Sequence, residues 1–188
     1  TYGLLADQYL VPAIMTLGIV SASFVNVAMT IVYQREMGVL KRLRGTPLPT
    51  SVFVSARTAS AVVNSGLIAF VILIAGHLAY GIDIDAQRLI GTLLVVVVGS
   101  VAFCALGFAL TIVIPNQAAA PAITNMITLP LYFISGVFGD ASNLPTFLAT
   151  IGEFFPIYHL GACLFETFSP DATGVIALDW KNLAVVVA

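Results

Sequence analysis

An enzyme built from this sequence would draw on Glu153, His159 and Glu166, the nearest approach to an acid–base or metal-ligand set. Six positions separate Glu153 from His159, across Pro156, and seven separate His159 from Glu166. Neither interval is a zinc-ligand spacing, and neither His-Glu-x-x-His nor Gly-x-Ser-x-Gly occurs. An intramembrane enzyme is thus an alternative with no motif behind it. Cys104 and Cys163, 59 residues apart in apolar surroundings, are too few for a disulfide scaffold. Nucleotide hydrolysis through a phosphate loop would need Gly-x-x-x-x-Gly-Lys-Ser/Thr. The lysines are Lys41 and Lys181, and neither follows a glycine. If this chain takes part in ATP-driven work, the engine is another polypeptide.

Neutral polar residues form a second class. Ser23, Asn26 and Thr30 recur at i, i+3 and i+7, which places them on one face of a regular helix, and Thr124, Asn125 and Thr128 make a similar patch. Such groups either bond across packed membrane helices or provide a weakly polar wall for an amphipathic or apolar substrate. No Asp, Glu, Lys or Arg falls inside any predicted membrane core. A central charge costs about 2.5–3.5 kcal/mol on insertion scales and marks ion or proton pathways, so its absence argues against a carboxylate-driven transporter and a charge-ringed channel. His77 lies three residues from the outer end of its predicted span, either as an interfacial group or as a pH sensor. Gly91, Gly99 and Gly107 share one helical row and suit close packing, while Pro130 predicts a kink.

The elements that position these residues follow from composition. Of 188 residues 60% are hydrophobic and 9% charged, with a mean hydropathy of +1.05. Soluble domains carry about 25% charged residues, so the sequence excludes an ordinary globular enzyme, a disordered tail and a nucleic-acid binder. A helix needs about 20 apolar residues to cross ~30 Å of hydrocarbon. Residues 10–33, 58–80 and 89–114 meet this without a charge, 122–139 sits at the lower limit, and 182–188 reads as a truncated fifth span. Runs such as Leu93–Val98 do not alternate, which excludes a β-barrel. The expectation is an all-α polytopic membrane protein with four complete spans and the start of a fifth. A chain that opens on Thr1 and stops inside an apolar run predicts at least one missing span before it and the rest of one after it.

Charge sets the orientation. Arg35, Lys41, Arg42, Arg44 and Arg57 all fall in the connection 34–57, and Lys/Arg excess in short loops marks the cytoplasmic side. With residues 115–121 also inside, the net charge of −2 resolves into +4 inside and −6 outside. The outer segment 140–181 holds two apolar runs, Leu144–Gly152 and Ile157–Phe168, split by Pro156. Both are too short to span, and they predict short re-entrant or interfacial helices.

Within the connection, Met37, Leu40 and Leu43 recur every three residues among Arg35, Lys41, Arg42 and Arg44. This predicts a short amphipathic helix over Gln34–Arg44, stopped by Pro47 and Pro49. Such a helix either lies on anionic lipid or docks on a partner. The string REMGVLKRLRGTPLP at 35–49 resembles the loop that follows a membrane helix in ABC type-2 transporter permeases, with Val39 where that family often has Thr. The resemblance continues through NMITLPLYFISGVFG at 125–139, Asn143-Leu144-Pro145 and FPIYHL at 155–160, in order along nearly the whole chain.

The resemblance implies a six-span permease half lacking its first span here. It also implies an exporter of hydrophobic drugs, lipids or polysaccharides in the plasma membrane, of bacterial type. Arg35, Glu36, Met37, Gly38, Leu40, Lys41, Arg42 and Leu43 would couple to a separate ABC ATPase subunit. Ser23, Asn26, Thr30, Thr124, Asn125 and Thr128 would flank the substrate pathway. The implied partners are that ATPase, a second permease subunit as homo- or heterodimer, and membrane lipid, with no nucleic acid. No cofactor is expected on this chain, because ATP and Mg belong to the ATPase. A membrane scaffold or assembly protein is the alternative of another class.

Overall fold

The computed structural model describes residues 9–81, 86–134, 156–168, 184 and 186. Among these residues the fold is all-helical, without strands. Six helices are α1 (Val11–Glu36), α2 (Val39–Arg44), α3 (Thr50–Tyr80), α4 (Ala86–Leu110), α5 (Ala120–Ile134) and α6 (Pro156–Phe168). Three are long and apolar enough to cross a membrane: α1, α3 and the Leu89–Leu110 part of α4. The short helix expected over Leu144–Gly152 and most of 182–188 lie outside the described residues.

Several boundaries depart from the hydropathy reading. Helix α3 begins at Thr50, two turns before the apolar run, because Pro49 supplies an extended N-cap with φ −67° and ψ 142°. At 1.5 Å per residue its 31 residues reach about 46 Å, longer than the ~30 Å of hydrocarbon that a span must cross. Helix α4 ends at Leu110, earlier than the apolar run, and a turn over 111–113 follows. At the other end of α3, Gly81 takes φ +68° and its N–H donates to His77 O at 3.0 Å, a left-handed C-terminal stop.

Helix α1 is not regular. Ser21–Val25 forms a π-helical segment between Val11–Val20 and Asn26–Glu36. Gly107 of α4 lies against this segment, where an added Cβ would stand 2.9 Å from Phe24 O. Gly91 and Gly99, on the same row of α4, receive Thr167 and Leu160 of α6. The glycine row therefore seats two different neighbours, α6 towards its start and the π segment towards its end.

Those contacts orient α6. Thr167 lies beside Gly91 near the start of α4, and Leu160 lies beside Gly99, so the two helices run antiparallel. Pro156 and Ile157 then reach the level of Phe103 and Leu106, halfway down the bundle. Thirteen residues span only about 20 Å. Helix α6 thus starts at mid-depth and rises to the end opposite the 34–57 connection. Its Ile157, Leu160, Cys163, Leu164 and Phe168 are buried with Met15 and Ile19 of α1 and Val95, Val96 and Phe103 of α4 in the main core. Tyr132 of α5 closes the core through a hydroxyl contact of 3.1 Å with Ser21 at the π segment.

Candidate functional site

The basic connection is two helices rather than one. Helix α1 runs on through Glu36; Met37 closes its last turn by donating to Tyr33 O at 3.0 Å, and Gly38 follows at φ +71°. A residue with a Cβ is strained there, so glycine makes the change of direction possible. Gly38 O then accepts from Arg42 N at 3.1 Å and opens α2. Thr46 ends it, donating both N–H (3.0 Å) and Oγ1 (2.6 Å) to Leu43 O.

This break divides the expected Met37–Leu40–Leu43 ridge. Met37 is 57% exposed. Leu40 packs on the buried cluster of Val27, Ile31, Ala61 and Cys104. Leu40 and Leu43 are both half-buried and, with Leu48, Pro49 and Phe53, line a 400 Å³ cavity between α2 and the start of α3. Lys41 and Arg42 are exposed. The Arg44 side chain lies outside the described residues.

Arg35 and Glu36 face away from that surface. The Arg35 guanidinium donates to three backbone carbonyls beyond the end of α4: Nη1 to Thr111 O at 3.1 Å, and Nη2 to Ile114 O and to Pro115 O (3.1 Å). Glu36 Oε1 accepts from Gln117 N at 2.7 Å. Beneath them Ala28 and Val32 of α1 pack on Ile114 and Ala120. Nothing local in the sequence announces these contacts, which join residues 76 to 81 positions apart.

Inside the bundle the expected polar face on α1 is split. Ser23 is fully buried and its hydroxyl donates back to Ile19 O. Asn26 is exposed. Thr30 Oγ1 donates to Asn26 O at 2.7 Å and to its Oδ1 at 3.0 Å. The π segment shifts the helical phase between Ser23 and Asn26, and the i, i+3 rule for a regular α-helix fails across it. On α5, Thr124 and Thr128 are buried, with Thr128 Oγ1 on Thr124 O at 2.7 Å, while Asn125 is exposed. Ser21 meets Tyr132, and Thr30 and Tyr33 share a cavity wall with Ala120 and Pro121. Helices α1 and α5 therefore run antiparallel, with Asn26 and Asn125 both exposed at intermediate levels.

Of the six pathway candidates, Thr128 lines the 360 Å³ apolar cavity walled by Phe24, Phe103, Leu106, Leu110, Leu131 and Ile157. His159 and Glu166 both lie on α6, while Glu153 is outside the described residues. Among the described residues no three His, Cys, Asp or Glu side chains cluster to hold a metal ion.

The family model described as ABC-2 type transporter matches residues 2–168. The chain belongs to the ABC-2 type transporter family. A relative from Bacillus subtilis (strain 168), named "Putative transport permease YvfS", is 24% identical over 170 residues, covering 90% of this chain and 67% of the relative. No solved structure matches the chain. This ABC-2 chain is a multi-pass membrane protein of transport-permease type. Sequence reasoning missed the π segment, Tyr132 and the 111–117 connection; the one local signal was Gly38 inside an apparently continuous amphipathic helix.

Proposed function

We propose that this chain is the membrane subunit of an ATP-driven exporter, and that its partner ATPase docks on the exposed side of α2. The observation that carries the reading is the placement of Met37, Lys41 and Arg42. Met37 stands exposed where α1 ends, and across Gly38 the two cations stand exposed on α2. Such a face fits an apolar groove rimmed by acidic residues on a soluble partner, and its charges steer the encounter. Leu43, Leu40 and the cavity they line extend that surface, and Leu40 also anchors α2 to the bundle.

In this mechanism two permease subunits pair in a bacterial plasma membrane, with the 34–57 connection in the cytoplasm. ATP and Mg bind the ATPase, whose closure displaces α2 and, through it, α1. The substrate is a hydrophobic drug, a lipid or a polysaccharide-type molecule. Asn26 and Asn125 support a pathway beside α1 and α5, since exposed amides at membrane depth are poorly solvated by lipid and favour a polar neighbour. The test is ATP-dependent movement of a fluorescent amphiphile in proteoliposomes holding the full permease and its ATPase. Transport that requires Mg-ATP and falls in the Asn26→Ala/Asn125→Ala variant supports the reading. Normal transport by that variant removes the pathway assignment, and ATP-independent transport removes the mechanism.

A further inference from the structure

We propose that Arg35 and Glu36 are positioning residues that fasten the α4–α5 connection to the end of α1. By this clamp α1, α2 and that connection move as one body during transport. The proposal rests on the reading of the chain as an ATPase-driven permease.

Each charge meets backbone groups of opposite polarity. Carbonyls and N–H groups in an irregular connection lack the partners a helix supplies, and charged side chains make the stronger hydrogen bonds to them. Arg35, a cation, takes the carbonyls of Thr111, Ile114 and Pro115 just past α4. Glu36, an anion, takes the N–H of Gln117, three residues before α5 begins at Ala120. A planar fork with five donors suits three carbonyls in a way that a lysine ammonium does not.

The connection has few bonds of its own. Its turn is closed by Thr111 N to Phe108 O, Ile112 N to Ala109 O and Val113 N to Leu110 O at 3.0–3.2 Å, and Asn116 Oδ1 accepts from Ala119 N at 2.8 Å. Arg35 and Glu36 grip it on both sides of Asn116. The buried contact of Ala28 and Val32 with Ile114 and Ala120 backs the grip. Val39, the first residue of α2, is three residues beyond Glu36. A push on α2 is therefore delivered to the α4–α5 connection through this clamp, in addition to the apolar contact that Leu40 makes.

The test uses the full permease with its ATPase subunit in nanodiscs and proteoliposomes. The exchange Arg35→Glu with Glu36→Arg keeps the loop's net charge but sets an anion against the carbonyls and a cation against the N–H group. Expected is a fall of about 5- to 10-fold in substrate moved per ATP for the exchange and for Arg35→Ala, the range of an ordinary coupling free energy. The ATPase subunit stays bound in both, and Glu36→Gln, which keeps an acceptor oxygen, retains coupling. Unchanged transport per ATP in the exchange overturns the proposal. Loss of the ATPase subunit also overturns it, since the two residues are then partner contacts. A second measurement leaves both clamp residues in place: the Ala28→Cys/Ala120→Cys pair, in the apolar contact beneath them, is cross-linked with and without nucleotide. Equal cross-linking in both states is expected, and cross-linking confined to one state overturns the single-body claim. Wild-type protein that fails to transport on ATP counts against the functional reading, whereas an unaffected exchange beside normal wild-type transport counts against the clamp alone.

Discussion

Replacing Gly107 by alanine should destabilise the bundle at one identifiable place. A Cβ there would stand 2.9 Å from Phe24 O, 3.4 Å from Phe24 Cα and 3.4 Å from Ser23 O. Favourable C–H···O contacts lie at about 3.3–3.6 Å, so α4 and the π segment must part by several tenths of an ångström. The obstacle is backbone, which has no rotamer to change. Gly66, on α3, is the control, because a Cβ there meets nothing within 4 Å. Both substitutions gain about 1 kcal/mol of helix propensity, so their difference isolates the clash, about 1–3 kcal/mol. For a chain of this size each kcal/mol corresponds to roughly 2–4 °C in midpoint. The assay is thermal unfolding in nanodiscs, read by a thiol-reactive fluorophore on the buried Cys104 and Cys163. Gly99→Ala should cost less than Gly107→Ala, because its obstacle is the tip of Leu160, a flexible side chain. A Gly107→Ala protein as stable as Gly66→Ala refutes the packing argument.

Gly38→Ala places a Cβ at φ +71°, a strain of roughly 1–2 kcal/mol, and should weaken ATPase retention more than Gly45→Ala, whose φ is negative. Pull-down of the ATPase subunit on each variant measures this. The Ser21–Tyr132 hydroxyl contact of 3.1 Å predicts a coupling of about 0.6 kcal/mol in a Ser21→Ala/Tyr132→Phe double-mutant cycle of unfolding midpoints. Lys41→Cys should react with a membrane-impermeant maleimide in inside-out vesicles and not in intact cells, and the reverse pattern would invert the topology.

The helices were legible because uncharged runs of 20 or more residues leave few other structures possible in a bilayer. Their ends were less so. Thr50–Arg57 reads as loop by hydropathy, since Ser51, Ser55 and Arg57 dilute it, yet a proline N-cap and the continuing α3 make it helix. The π segment has no compositional mark: Ser21, Ala22, Ser23, Phe24 and Val25 suit any membrane helix, and the shift in phase arises where Gly107 seats their backbone. That shift is why Ser23 and Asn26, placed on one face by spacing, part company. Arg35 and Glu36 were picked out by type and place, but their partners were not. Contacts across 76 to 81 residues with backbone groups depend on how α1, α4 and α5 are arranged, which no local pattern encodes. Met37, Lys41 and Arg42 kept their expected exposure because nothing in the bundle competes for them.

The central claim is that the exposed turn from α1 into α2 meets an ATPase, and a photo-cross-linking amino acid at position 37 tests it most directly. Met37 is more than half exposed at the end of α1, two residues before α2 begins, so its replacement should cross-link, in native membranes, to an ABC ATPase subunit identified by mass spectrometry. The same probe at Ile31, buried in the cluster that Leu40 packs on, should cross-link within the permease instead. Cross-linking of position 37 to lipid alone, or of position 31 to the ATPase, would contradict the account.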